Sequence, residues 1–126
     1  MSYQSAKGYR AEAAVEKILS ARNGECYRPR AGRSEDFGDI GGFPLVVSIK
    51  DRARLELSEW VDEMNDAVVR SPWATGIVWH KRRGQGNPER WYVTTTGALF
   101  LPFFDAYCMD MERELNPRRI VDVPLP

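Results

Sequence analysis

FGDIGGFPLVVSIK, residues 37–50, is the stretch that decides the fold. Residues 43–50 pack Leu45, Val46, Val47 and Ile49 around one serine, and they form the clearest strand in the chain. Residues 37–40 read as a second extended piece, and Gly41-Gly42 supplies the turn that pairs the two as a hairpin. Strand side chains alternate, so Ser48 and Lys50 share a face, and the short turn brings Asp39 to the start of the same patch. A carboxylate and an ammonium together on a sheet face are costly as mere structure. Around a divalent metal they make sense: Asp39 holds Mg²⁺, while Lys50 orients or deprotonates the attacking water and stabilises charge developing at phosphorus. The plainer alternative is a turn aspartate and an edge-strand lysine with no joint role.

Outward from this pair the chain alternates helix and strand signals. Residues 6–22 place Ala11, Ala14, Val15, Ile18 and Leu19 at helical spacing, and Asn23-Gly24 is a stop. A short strand over 25–28 leads into a basic loop, residues 29–34. Downstream, residues 55–70 put Leu57, Trp60, Val61, Met64 and Val68 on one helical face with acidic residues opposite, and Ser71-Pro72 ends that helix. Residues 74–80 and 91–95 are strands joined by the polar loop 81–88; an apolar stretch through Phe104 and a helix near 105–115 follow. The predicted order is α-β-β-β-α-β-β-α, a single α/β domain over residues 1–126 with a mixed sheet flanked by helices. The helix at 55–70 should make a parallel crossover and lay its apolar face on the sheet.

With 126 residues the chain supports one core and not two. No apolar run approaches the roughly 20 residues of a bilayer span, and the first residues lack a signal-peptide layout. Cys26 and Cys108 have neither metal-site spacing nor disulfide density, so both are expected as reduced, mostly buried thiols of a cytoplasmic protein. A lone histidine, His80, excludes a histidine-rich zinc site and leaves no Ser/His/Asp triad to build. Net charge is zero but unevenly spread: residues 1–34 carry seven Lys/Arg against three Glu, and residues 35–66 carry nine Asp/Glu against three Lys/Arg. That layout fits phosphate contacts beside a carboxylate cluster, and chance clustering of surface charge fits it too.

Several separate elements together resemble the PD-(D/E)XK nuclease superfamily, in particular archaeal-type Holliday-junction resolvases and their phage relatives. Lys7-Gly8-Tyr9-Arg10-Ala11-Glu12 is similar to the Lys-Gly-x-x-x-Glu opening of that family's first helix, whose glutamate faces the active site. Arg28 and the loop Gly32-Arg33-Ser34 match an arginine followed by a Gly/Ser loop. Gly38-Asp39-Ile40 resembles the Pro-Asp-Ile/Val element, with glycine in place of proline, and Val46–Lys50 resembles the apolar-apolar-Glu-x-Lys strand. The order continues through Trp79-His80-Lys81, so the resemblance covers residues 5 to about 100, leaving 101–126 as a C-terminal helix and tail. One departure matters. Ser48 stands where the family has its second metal-binding carboxylate. Serine can act through a water; Asp51 is adjacent but points to the opposite face of a straight strand; Glu59 or Glu63 on the next helix can supply a migrated ligand, with Glu56 a neighbouring position. Loss of activity is a further outcome.

The resemblance implies a restriction-endonuclease-like fold and a Mg²⁺- or Mn²⁺-dependent endonuclease acting on branched DNA. Asp39, Glu12 and Ser48 belong to its metal site, and Lys50 is the catalytic lysine. Lys7, Arg10, Arg28, Arg30, Arg33, Ser34, Lys81, Arg82 and Arg83 are the expected backbone contacts, giving salt-sensitive binding with little sequence preference. Two symmetric cuts in a four-way junction call for a two-fold homodimer, and some of Trp73, Trp91, Phe100, Phe103 and Phe104 are expected at its interface. Other readings are a repair, flap or restriction-like nuclease and a non-catalytic DNA-binding module. The loop Arg82-Arg83-Gly84-Gln85-Gly86 lacks the Gly-Lys-Ser/Thr ending of a nucleotide loop, so no nucleotide cofactor is expected. It reads either as a mobile hairpin tip on DNA backbone or as a solvated basic loop. His80 reads as a strand-end residue near phosphate.

Overall fold

The computed structural model describes residues 3–23 and 38–115. The strand predicted at 25–28, Cys26 and the DNA contacts assigned to Arg28, Arg30, Arg33 and Ser34 lie outside the described residues. Within them the order is α1 (Tyr3–Asn23), β1 (Val46–Lys50), α2 (Leu57–Arg70), β2 (Gly76–His80), a 3₁₀ turn (Pro88–Arg90), β3 (Tyr92–Thr94) and α3 (Gly97–Leu115). The sheet order is β1-β2-β3, with β1 parallel to β2 and β3 antiparallel to it. The result is a small α/β unit with a mixed sheet, and α2 makes the expected parallel crossover.

Strand alternation sorts the core into two faces. On one, Val47 and Ile49 pack with Ala11 and Val15 of α1, with Ile40 and with Trp91. On the other, Val46 and Val78 pack with Trp60, Met64 and Val68 of α2. Burying each of these larger α2 side chains is worth roughly 1.5–3 kcal/mol, and their 60/64/68 spacing explains why this helix lies on the sheet. Gly76 permits that approach, because a Cβ there would stand 2.7 Å from Val68 Cγ2 and 2.9 Å from Val46 Cβ.

Four expectations need correction. The hairpin before β1 is reduced to an isolated antiparallel bridge, Ile40 to Val47, because the Asp39 side chain occupies the Ile49 N–H that a longer strand would have bonded. The last helix starts at Gly97, not near 105. Thr96 opens it, with its hydroxyl accepting from Leu99 N at 3.1 Å and its carbonyl accepting from Phe100 N at 3.0 Å. Pro102, which argues against helix in sequence, falls early enough for the cap and the following turns to carry it. Cys108 is exposed on this helix and not buried. Trp91, one of five aromatics of which some were expected at an interface, is a core residue. Among the described residues no helix is long and apolar enough to cross a membrane.

Candidate functional site

Asp39 owes its position to Gly38. That glycine has φ +81°, which a proline ring locked near −65° cannot adopt, and a Cβ there would meet Val47 O at 2.7 Å. Glycine at position 38 is thus a requirement of this backbone. Asp39 N donates to Val47 O at 2.7 Å. Extending the Ile40–Val47 register by one position puts Asp39 across from Ser48. Since Ile40 and Val47 face α1, alternation turns Asp39, Ser48 and Lys50 toward the α2 side.

The Asp39 carboxylate accepts from Ile49 N at 2.6 Å through Oδ2. Burial holds its pKa above the usual carboxylate range, against the lowering effects of that N–H and of the positive charge of Lys50. Lys50 Nζ lies 3.3 Å from Glu63 Oε2 of α2. Lys50, Glu59 and Glu63 line one polar recess of about 360 Å³, together with Arg52 and Arg54. The fold therefore brings Asp39, Lys50 and Glu63 into one chain of charge, with Ser48 on the same face. Arg52 and Arg54 escaped the sequence reading. Their signal was the period-two spacing Lys50-x-Arg52-x-Arg54, which runs past the end of the strand.

Compared with protein families, curated proteins and solved structures, the chain gives no match.

A second cluster sits on the other side of the same strand end. Asp51 turns toward α1 and is nearly buried, its side chain 8% exposed, with Oδ1 3.3 Å from Lys7 Nζ and Oδ2 3.8 Å from Lys81 Nζ. Arg10 lines the same recess. Three of the expected backbone-contact cations are thus gathered: Lys7, Arg10 and Lys81. Arg83 is exposed beyond them, and Arg82 lies 5.5 Å from the Tyr92 ring centroid. Glu12 is half-buried one position past the core residue Ala11, on the helix that covers the α1 face.

The loop carrying these arginines is anchored at two points and is not a free hairpin tip. Trp91 Nε1 donates to Gln85 O at 2.8 Å, and Trp79 Nε1 donates to Pro88 O at 3.0 Å. His80 is not an exposed strand-end residue. It is buried between Trp60 and Tyr92 at ring distances of 5.8 and 5.9 Å, its Nε2 pairs with Thr94 Oγ1 at 2.8 Å, and burial lowers its pKa. It is a core histidine, neutral at pH 7.

The donors near Asp39 are carboxylate oxygens, which suit a hard cation. Among the described residues no three His, Cys, Asp or Glu side chains gather as an ion cage. A cation here would rest on one or two carboxylates and keep water, which is the habit of Mg²⁺. Asp39 and Glu63 are the carboxylates on either side of Lys50, and a cation would relieve the unfavourable burial of the Asp39 charge.

Proposed function

We propose that this protein is a metal-dependent DNA endonuclease of the PD-(D/E)XK type with a restriction-endonuclease-like fold, acting on branched DNA such as four-way junctions in the cytoplasm. One observation carries the reading. A half-buried carboxylate with a raised pKa, Asp39, lies beside an ammonium, Lys50, on the face where Ser48 leaves a ligand missing and Glu63 reaches in from α2. Carboxylates whose pKa is raised by burial beside a specific charge partner are found preferentially at functional sites.

Asp39 and Glu63 would hold Mg²⁺ or Mn²⁺, which when bound supplies Lewis-acid polarisation of the phosphodiester and a more acidic water. Ile49 N–H fixes the Asp39 carboxylate through Oδ2 and leaves its other oxygen for a cation. Lys50 orients the attacking water and stabilises the charge growing on the phosphate oxygens. Glu63 keeps the Lys50 ammonium aimed at the recess. Arg52 and Arg54 on one side, and Lys7, Arg10 and Lys81 on the other, hold the DNA backbone by charge, so affinity should fall steeply with salt.

The test uses labelled junction, flapped and plain duplex DNA, with and without Mg²⁺. Asp39→Asn and Lys50→Ala should each lower cleavage by at least about 100-fold, and calorimetric Mn²⁺ binding should vanish in Asp39→Asn. If both variants cleave like the parent, the reading is wrong. Equal cutting of plain duplex would remove the junction preference, and junction binding without cutting would favour a binding module.

A further inference from the structure

Trp91 and Tyr92 are neighbours in sequence, and each carries a cation of the 81–83 run over its ring. Lys81 Nζ is 5.8 Å from the Trp91 centroid, and the Arg82 guanidinium is 5.5 Å from that of Tyr92. Strand alternation sends the two pairs to opposite faces. Trp91 is closed, 8% exposed and part of the α1-side core. Tyr92 is open, with 53% of its surface exposed, and among the described residues it belongs to neither core cluster.

The open ring is nevertheless firmly placed. It meets the buried His80 ring at 5.9 Å, and His80 meets Trp60 at 5.8 Å. Trp60 lines the recess that holds Lys50 and Glu63. A file of three rings thus runs from that recess to the exposed one. In the sheet register Lys50 stands opposite His80, and His80 opposite Tyr92. Adjacent strands lie about 4.8 Å apart, so Tyr92 stands about 10 Å from Lys50 along this backbone row. Arg82 is held too: its carbonyl accepts from Gln85 N at 3.1 Å, inside a loop pinned by the Trp79 and Trp91 indoles.

We infer that the Tyr92 ring is a stacking platform for an unpaired nucleobase, with Arg82 on the adjoining phosphate. The inference rests on the reading of this face as a DNA site, and it names the part of the DNA that is recognised. An aliphatic guest makes no use of a guanidinium, and a cationic guest is repelled by it. A nucleotide uses both groups: the base takes the ring face, and the guanidinium turns from the ring to the phosphate. Bases inside a duplex are stacked on one another and closed to the ring. The guest is therefore a base out of the stack, as at a flap or a single-stranded gap beside a branch. A fully paired four-way junction ranks below these as a substrate.

The test measures binding of a short mixed-sequence single strand by fluorescence anisotropy without metal, so that it is not cut. A second strand of equal length has its central bases replaced by abasic sites. The parent should bind the intact strand at least tenfold more tightly than the abasic one, about 1.4 kcal/mol. Tyr92→Ile keeps a β-forming side chain without the ring and should bind both strands alike, whereas Tyr92→Phe should keep the preference. Arg82→Ala should lower the slope of log affinity against log salt by about 1, and Tyr92→Ile should leave it as it is. A parent that binds both strands equally overturns the inference, and this comparison needs no variant. So does a Tyr92→Ile protein that keeps the parent's preference, a Tyr92→Phe protein that loses it, or no binding at about 100 µM. Base-dependent binding without Mg²⁺-dependent cutting keeps this inference and ends the nuclease reading. Cutting that is indifferent to the bases and to Tyr92 does the reverse.

Discussion

Lys50 and Asp51 are neighbours in sequence and belong to opposite faces of the sheet, and the two carboxylates they accompany are treated differently. Asp51, on the α1 side, is nearly buried and bracketed by two ammonium groups, Lys7 and Lys81. Asp39, on the α2 side, has one backbone N–H and one lysine, and that lysine also pairs with Glu63. Burial outweighs these partners and keeps the Asp39 pKa raised. A carboxylate with two cations is a structural joint. One left short of positive charge is a place where a cation can add stability, and this difference singles out Asp39 over its better-paired neighbour.

The contrast can be broken by substitution, and the largest effect on folding is expected at Asp51. Asp51→Asn leaves Lys7 and Lys81 facing each other without the carboxylate that holds them. Both lysines are partly solvated, 21% and 37% exposed, so the loss should be about 1–2 kcal/mol and not the full cost of a buried pair. Urea unfolding would show a lower midpoint with an unchanged slope.

Asp39→Asn should do the opposite. Because the folded pKa is raised, the stability linked to the Asp39 proton is fully present below the ordinary value of 3.8 and is lost as pH rises through the folded value. At pH 7 the parent carries the cost of an ionised, partly desolvated carboxylate, and the amide does not. The variant should be the more stable protein at neutral pH, by under about 1 kcal/mol, with the gap closing in acid. Denaturation midpoints across pH check this. A variant less stable at pH 7 and equally pH-dependent would show that Asp39 is a structural joint like Asp51.

The smallest change in stability is expected at Glu63. Its side chain is 56% exposed, so Glu63→Gln should move unfolding by no more than about 0.5 kcal/mol. Its effect on cleavage should be at least tenfold, about 1.4 kcal/mol, if it takes the place of the ligand missing at Ser48. Normal cleavage by this variant would leave Glu63 as a surface ion pair and return the second ligand to Glu59 or Glu12.

Much of the fold was legible because its signals are local. The 43–50 run, the apolar face of 55–70 and the strand at 74–80 each carry their own period, and the parallel crossover follows from their order. The C-terminal helix was misjudged at its start, because Pro102 is a strong local signal while Thr96 acts as a cap only once Leu99 and Phe100 have turned back to it. Lys50 and Asp39 were legible as a pair from the short glycine turn. Their common face with Glu63 was one of several open choices, since nothing in the spacing says which turn of a 14-residue helix will lie over the end of β1.

By itself the sequence determined the strand–helix–strand unit, the placement of Asp39 near Lys50 and the absence of a carboxylate at Ser48. Alternation and helical period follow from covalent geometry and can be counted along the chain. Only the tertiary structure decided that Glu63 reaches Lys50, that Asp51 gathers Lys7 and Lys81, that His80 is walled in by Trp60 and Tyr92, and that α3 has no buried residue. Those outcomes depend on contacts between residues far apart in sequence and on the burial that changes what a charge costs, and neither is encoded in any one stretch of the chain.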